Sequence, residues 1–438
     1  MATELVPLTA LLSEIIDNRG RTCPTVATGI PLIATNCIKN DTLYPTYENV
    51  RHVSRESYEC WFRGHPIPGD LIFVTKGSPG SVCIAPDPVD FCIAQDMVAL
   101  RPNPTTVYPK YLFAILRSRE TQLQIVNLHV GSLIPHFKKG DFDKLRLPIP
   151  DPSLQRYIGD LYYDITELIH RNRRMNETLE QVVRALMKSW FVDFDPVQDS
   201  EAHRTPFGVD EATCTLFPSG FEDTRRGKMP RGWTIASVSK VANVNSLSLS
   251  AKDKLDTIEY VEISEVSRGE IGNMPLYDRG TEPSRARRRL RHGDTALSTV
   301  RPDRGAYFLC LDPPINRLAS TGFAVVSPID VPWTFLYLAL TTDEVSEYLG
   351  RVADGGAYPA VNPSVISDIE FVLPNKPVLD AFHTIAKPFL QLVEANRLEN
   401  RTLRQLRDTL LPKLISGEVR IRDAENLVNS TINPKEAA

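Results

Sequence analysis

The side chains best suited to chemistry in this chain are arginines. Arg285, Arg287, Arg288, Arg289 and Arg291 stand beside His292, and the stretch from Asp278 to Arg304 holds eight Arg against four acids. A guanidinium suits phosphates and the paired acceptors of a guanine edge. Arg301 and Arg304 fall on a turn after an apolar strand, where a loop could project toward a ligand. The first half of the chain has Lys76-Gly77-Ser78-Pro79-Gly80-Ser81 in the corresponding place. There Lys76 and Ser78 are candidates for phosphate contact, and the glycines allow close backbone approach. Lys138 and Lys139, ahead of Gly140, are a weaker version of the same signal. The competing reading is a solvated charged face and plain turns. No run of acids neighbours the arginine cluster in sequence, which favours contact with a polyanion.

Other chemistries find no support. Asp312-Pro313-Pro314-Ile315 lacks the aromatic fourth residue that would stack on a flipped base, so it reads as a turn. There is no glycine-rich cofactor loop between a strand and a helix, and Gly64 to Gly69 leads into Asp70 rather than Lys-Ser/Thr. The eight histidines form no HExxH, and no Cys/His spacing suits zinc. Asp193 and Asp195 are expected to be structural or docking residues, and no nucleophile triad can be assigned from spacing. The chain is therefore expected to have no catalytic site and to hold no cofactor or metal itself.

The elements that position these residues come in two copies. A shift of 224 residues sets Gly69-Asp70 on Gly293-Asp294, Thr75 on Thr299, Leu112 and Leu116 on Leu336 and Leu340, and Pro135 on Pro359. The same shift sets Asn172, Asn176, Leu179 and Leu186 on Asn396, Asn400, Leu403 and Leu410. Two large copies imply a pseudo-dimer on one chain rather than a solenoid. Short strands such as Leu71 to Thr75 and Ile369 to Leu373, broken by helical stretches such as Tyr111 to Arg117, give an α+β class.

After each globule the pattern turns helical. Leu154, Ile158, Leu161, Ile165, Leu168, Asn172, Met175, Leu179, Val182 and Leu186 step by 4 and 3, as in a coiled-coil seam. Val378, Phe382, Ile385, Phe389, Leu392, Asn396, Glu399, Leu403, Leu406 and Leu410 do the same, with Glu399 breaking the stripe and Pro388 expected to kink it. Each stripe covers roughly 33 residues, or about 50 Å. The pairing expected is intramolecular and antiparallel, with Asn172 and Asn396 fixing the register. The expected order is a globule over 1–150, a helix over 151–195, a linker over 196–230, a globule over 231–375, a helix over 376–417 and a tail over 418–438.

The bulk numbers agree with a soluble protein. The chain has 438 residues, 42% hydrophobic and 24% charged, with a net charge of −4. That balance leaves room for local basic surface. Seven cysteines without a CxxC pair fit a reduced, cytoplasmic setting. The longest apolar run, near Phe335 to Leu340, is far short of a membrane span.

Trp190-Phe191-Val192-Asp193-Phe194-Asp195-Pro196-Val197 closes the first helix, and Leu410-Leu411-Pro412-Lys413-Leu414-Ile415-Ser416-Gly417-Glu418-Val419 closes the second. With Leu297-Ser298-Thr299-Val300-Arg301-Pro302, these segments resemble the specificity subunits of type I restriction–modification systems. The resemblance covers nearly the whole chain. It implies two pseudo-two-fold-related target-recognition domains, separated by an antiparallel two-helix coiled coil. Each domain would read one half of a bipartite, asymmetric site in double-stranded DNA. It also implies partners: two copies of a DNA methyltransferase subunit that uses S-adenosylmethionine, and a restriction and translocase subunit that uses ATP and Mg2+. The alternative is a free-standing regulator with two DNA-binding domains, which would bind tightly alone.

Overall fold

The structure, a computed structural model, describes residues 4–18, 21–128, 134–206, 208–224, 227–356 and 358–424. It divides into two compact units: Met1–Arg173 with Glu399–Ala438, and Arg174–Leu398.

The first unit is built on an antiparallel sheet whose strands run in the order Leu12–Asp17, Met97–Pro102, Leu71–Val74, Val82–Ile84. Leu71–Val74 is apolar at every position and buried on both faces, as a central strand must be. A smaller sheet places Ile30–Ile33 between Arg51–Val53 and Cys92–Ile93, the latter pairing parallel. Glu4–Pro7 and Arg146–Ile149 close a two-stranded ribbon. The buried helix Pro109–Arg117 packs beneath, its Pro at the start where no backbone donor is needed.

The second unit repeats this plan. Ala242–Val244, Phe323–Pro328, Asp294–Ser298 and Tyr307–Cys310 form the antiparallel sheet. Leu276–Asp278, Thr257–Val261, Arg317–Ser320 and Ala286–Arg289 form the mixed one, again with one parallel pair. Thr234–Ser237 and Glu370–Leu373 make the ribbon, and Trp333–Leu340 is the buried helix. The turn before each central strand is tied in the same way. Asp70 Oδ2 accepts from the Ile67 N–H at 2.9 Å, and Asp294 Oδ2 from the Arg291 N–H at 2.8 Å.

Two long helices complete both units, Pro152–Phe191 and Lys376–Ser416. The second runs unbroken through Pro388, so the interruption expected there is absent. Within the first unit, Asn172 donates to Asn400 Oδ1 at 3.1 Å and to Glu399 Oε2 at 2.8 Å, while Arg407 donates to Thr166 Oγ1 at 3.5 Å. Within the second, Asn396 donates to Asn176 Oδ1 at 2.8 Å, and the Trp190 and Phe382 rings lie 5.9 Å apart. In each unit one helix number rises as the other falls, which is antiparallel pairing.

The buried stripe differs from the one the heptads gave. Ile158, Tyr162, Ile165, Ile169, Asn172, Asn176, Val183 and Trp190 are buried on the first helix, and Phe382, Ala386, Leu390, Val393, Asn396, Asn400, Leu403 and Leu410 on the second. Leu161, Leu168, Leu179, Leu186 and Ile385 are only half-buried. Met175, Val182 and Leu392 are 48%, 46% and 43% exposed. On the first helix alternate positions are displaced by one residue; on the second the displaced positions are Ile385, Phe389, Leu392 and Glu399, so Glu399 sits outside the stripe and Asn400 within it, while Leu403, Leu406 and Leu410 are buried as expected. The cause is chemical: both helices carry apolar residues on two adjacent flanks, and the truly buried flank includes two asparagines that a hydrophobic pattern skips.

The stripe merges with the cores. In the first unit Leu403, Leu406, Leu410, Leu411 and Leu414 pack with Phe73, Phe113, Phe142 and Ile165. In the second, Trp190 and Phe191 pack with Phe217, Trp233, Phe335 and Phe382. The aromatic ending of the first helix is thus core, and its acids are held locally: Lys188 donates to Asp193, and Ser189 to Asp195 Oδ2 at 2.7 Å.

Candidate nucleic-acid interface

Each central strand delivers its following turn onto a second loop, and the lock is the same in both units. In the first, Lys76 and His136 form an isolated antiparallel bridge, the Gly77 N–H donates to the Pro135 carbonyl at 3.0 Å, and the Phe137 N–H to the Thr75 carbonyl at 2.8 Å. In the second, Val300 bridges Ala360, the Arg301 N–H donates to the Pro359 carbonyl at 2.8 Å, and the Val361 N–H to the Thr299 carbonyl at 2.8 Å. Every partner is related by 224 residues. The threonine hydroxyls repeat the pattern, Thr75 donating to the Asp96 carbonyl at 3.0 Å and Thr299 to the Gly322 carbonyl at 2.8 Å. A turn and a loop far apart in sequence become one rigid presentation frame.

The first frame brings Lys76 and Ser78 beside the loop that bears Lys138 and Lys139, and all four side chains are exposed. Lys139 Nζ is engaged by Asp17 Oδ2 at 3.0 Å. The second frame carries Arg301 and Arg304. The Arg301 guanidinium lies 4.5 Å from the centre of the Tyr358 ring, and Tyr358 is 71% exposed.

The arginine cluster is spread by its strand. The Thr321 N–H donates to the Arg285 carbonyl at 2.8 Å and the Thr299 N–H to the Gly322 carbonyl at 2.8 Å, so Arg285 and the Arg301 turn flank the same Thr321-Gly322 corner. Arg291 is at the other end of Asp294–Ser298, with Nη2 donating to Ser246 Oγ at 3.3 Å. Arg287 Nε donates to the Ser284 carbonyl at 3.1 Å. Arg288 is half-buried, its Nε has no hydrogen-bond partner, and burial pushes its pKa down. Arg289 pairs with Asp253 at 2.7 Å. Hydrogen bonds from Ser250, and then the Arg289 charge, hold the Asp253 carboxyl below its usual range. The absence of acids near the cluster therefore holds only along the sequence; folding brings Asp253 in from 36 residues away.

Two arginines at equivalent helix positions bear on the globules, Arg173 through Asp41 and Arg397 by packing against Gly269. Arg173 donates to the Asp41 carbonyl at 2.8 Å and to Asp41 Oδ2 at 2.7 Å. Burial raises the Asp41 pKa, but Arg173 outweighs it and the net shift is downward. Arg397, at the equivalent helix position, donates to Glu180 Oε1 at 2.7 Å, pairs with Glu394, and lies against Gly269. Burial would lower the Arg397 pKa; Glu394, Tyr337 and Glu180 together raise it well above normal. Neither latch nor Tyr358 was legible as a site in sequence, although the 224-residue repeat already equates Arg173 with Arg397.

Among the described residues no group of three or more His, Cys, Asp or Glu could hold a metal ion, and no helix is long and apolar enough to cross a membrane. Asp312, ahead of the two prolines, takes a left-handed backbone and pairs with His292 at 2.8 Å, while Ile315 is 70% exposed.

The family model for the type I restriction modification DNA specificity domain matches residues 23–181. The chain is 25% identical over 405 residues to the type I restriction enzyme HindI specificity subunit of Haemophilus influenzae, covering 80% of this chain and 86% of that protein. It is 22% identical over 409 residues to the MjaIX specificity subunit of Methanocaldococcus jannaschii, covering 90% and 88%. The crystal structure of a type I restriction–modification S subunit from M. genitalium shares the fold, with a TM-score of 0.54 at 16% identity over 94% of this chain and 95% of that one.

Proposed function

We propose that this chain, which belongs to the specificity subunits of type I restriction–modification systems, reads DNA through its two presentation frames. It is the non-catalytic recognition component of its complex. The observation that carries the reading of two half-sites is the duplicated lock. One backbone frame displays Lys76, Ser78 and Lys138 in the first unit and Arg301, Arg304 and Tyr358 in the second. Equal frames with unlike side chains suit a bipartite, asymmetric target, with cations on phosphates and directional donors on base edges.

The long helices act as the spacer that sets the separation of the half-sites, about one turn of duplex or roughly 34 Å for sites on one face. Their outer flank docks the methyltransferase subunits. Met175, Val182, Leu392 and Leu398 of the second unit are large, apolar and 43% to 56% exposed, a pattern that suits a partner helix. Two methyltransferase copies would bring S-adenosylmethionine, and a restriction and translocase subunit would bring ATP and Mg2+, in the cytoplasm.

Co-expression with the methyltransferase subunit, followed by mapping of modified bases across the host genome, tests the function. A two-part motif with a fixed gap is expected. A continuous motif, or methylation that persists without this chain, would overturn it. Tight sequence-specific binding by the chain alone would favour the free-standing regulator.

A further inference from the structure

Arg301 stands in a backbone conformation that L-residues avoid, with φ 46° and ψ 55°. The residue in the same place of the first frame is Gly77, with φ 90°. The two make the same hydrogen bond, each N–H donating to the proline carbonyl of its partner loop. The frame therefore demands a left-handed residue at this point. Glycine meets the demand without strain, whereas arginine must bear a clash of its Cβ. Pro302 directly after it narrows the backbone choice further. An arginine kept where glycine would fold more easily implies work for its side chain, since strain of this kind collects at functional sites.

The side chain is also aimed. Tyr358 sits at the tip of a hairpin closed by Asp354 and Ala360, whose backbone groups bond each other at 3.0 and 2.8 Å, and its own N–H donates to the Gly355 carbonyl at 3.0 Å. That hairpin is bridged to Val300, so ring and guanidinium ride on one frame. A guanidinium resting 4.5 Å from the ring centre has already given up much of its rotamer freedom. Asp303, the acid of the same turn, packs beside Gly350 on the helix Asp343–Arg351. The matching side chain in the first frame is Ile134, 55% exposed and unable to hold a cation in this way.

We infer that Arg301, set over Tyr358, is the guanine-reading contact of the second recognition unit, and that the first unit has no counterpart to it. The inference rests on the chain being a DNA reader. A guanine presents O6 and N7 as two acceptors in the major groove, and the planar fork of an arginine matches them with two parallel donors. Lysine has the charge but not the fork.

The test uses the complete chain assembled with its methyltransferase subunits and a randomised duplex library, scored base by base after selection. Wild type should return a two-part motif. Arg301→Lys should lower discrimination at one guanine, in one half only, by roughly tenfold or more, the order expected for a lost bidentate contact. Tyr358→Leu should relax the same base to a smaller degree. Arg301→Gly should relax it fully while melting no lower than wild type, because glycine removes the backbone strain; this keeps a loss of reading separate from a loss of folding. An unchanged motif in Arg301→Lys and Arg301→Gly overturns the assignment. So does an equal weakening on every sequence, which marks a phosphate contact. A wild-type complex that selects no motif at all fails earlier, at the DNA-reading function itself.

Discussion

The Asn396 amide donates to Asn176 Oδ1 at 2.8 Å, and both side chains are buried. The equivalent pair in the other unit is Asn172 donating to Asn400 Oδ1 at 3.1 Å. Paired amides on a helix seam fix register, because any slip would leave each one without a partner in an apolar setting. Asn176→Ala should therefore cost about 1–3 kcal/mol in urea unfolding of the full chain, by stranding Asn396. Replacing Asn176 and Asn396 together by Leu should recover most of that loss. A double variant worse than the single one would contradict the role given to the pair.

Arg397 links the two long helices of the second unit through Glu180 and lies against Gly269. Its side chain is 6% exposed and sits between Glu180 and Glu394. Arg397→Met leaves two carboxylates around an empty charge position, which should cost about 3–5 kcal/mol. Adding Glu180→Gln and Glu394→Gln should restore a large part of it. If the single variant melts like wild type, the latch contributes nothing to stability.

Gly159 lies inside the first long helix, where alanine is ordinarily better by up to about 1 kcal/mol. Here the sign should reverse. A Cβ at this position would come 2.6 Å from the Tyr111 backbone nitrogen and 2.9 Å from Tyr108 Cδ1. Gly159→Ala should lower the melting temperature; an increase would show that this helix and the Pro109–Arg117 helix are free to separate slightly.

Asp294 gives the fold a pH dependence opposite to the usual carboxylate. Burial raises its pKa, against the Ser327 hydroxyl and the Arg291 N–H and charge, which lower it. Its counterpart Asp70 has a guanidinium instead, from Arg101 at 2.9 Å. A raised folded pKa means the protonated form stabilises the fold. That contribution is complete below the unfolded value of about 3.9 and is lost as pH rises through the folded value. Asp294→Asn cannot ionise, so wild type should lose stability relative to it as pH climbs from about 4 toward neutrality. A gap between the two melting temperatures that stays constant over this range would refute the assignment.

Much of this architecture could be read from sequence. The 224-residue register located both central strands, both proline-bearing loops and both helices, because apolar strands and turn prolines leave marks that survive divergence. What escaped was whatever depends on a partner distant in the chain. Asp253 meets Arg289 only after folding. The helical stripe was misplaced by one residue at several positions because both helices are apolar on two adjacent flanks, and Asn176 and Asn400 are buried for their hydrogen bonds, a reason a hydrophobic pattern cannot register. Tyr358 was passed over since an isolated tyrosine in a glycine-containing loop has no periodicity to betray it.

The first unit takes part of its core from residues beyond Glu399, whereas the second is drawn from one uninterrupted segment. During synthesis on a ribosome, chains usually acquire structure from the N-terminus onward. In this molecule the order is inverted: the second unit can close as soon as its own segment has emerged, while the first waits for Leu403, Leu406, Leu410 and Leu414. A nascent chain with everything up to residue 398 outside the ribosome, and the rest still inside, would hold a finished second unit and an open, chaperone-exposed first one.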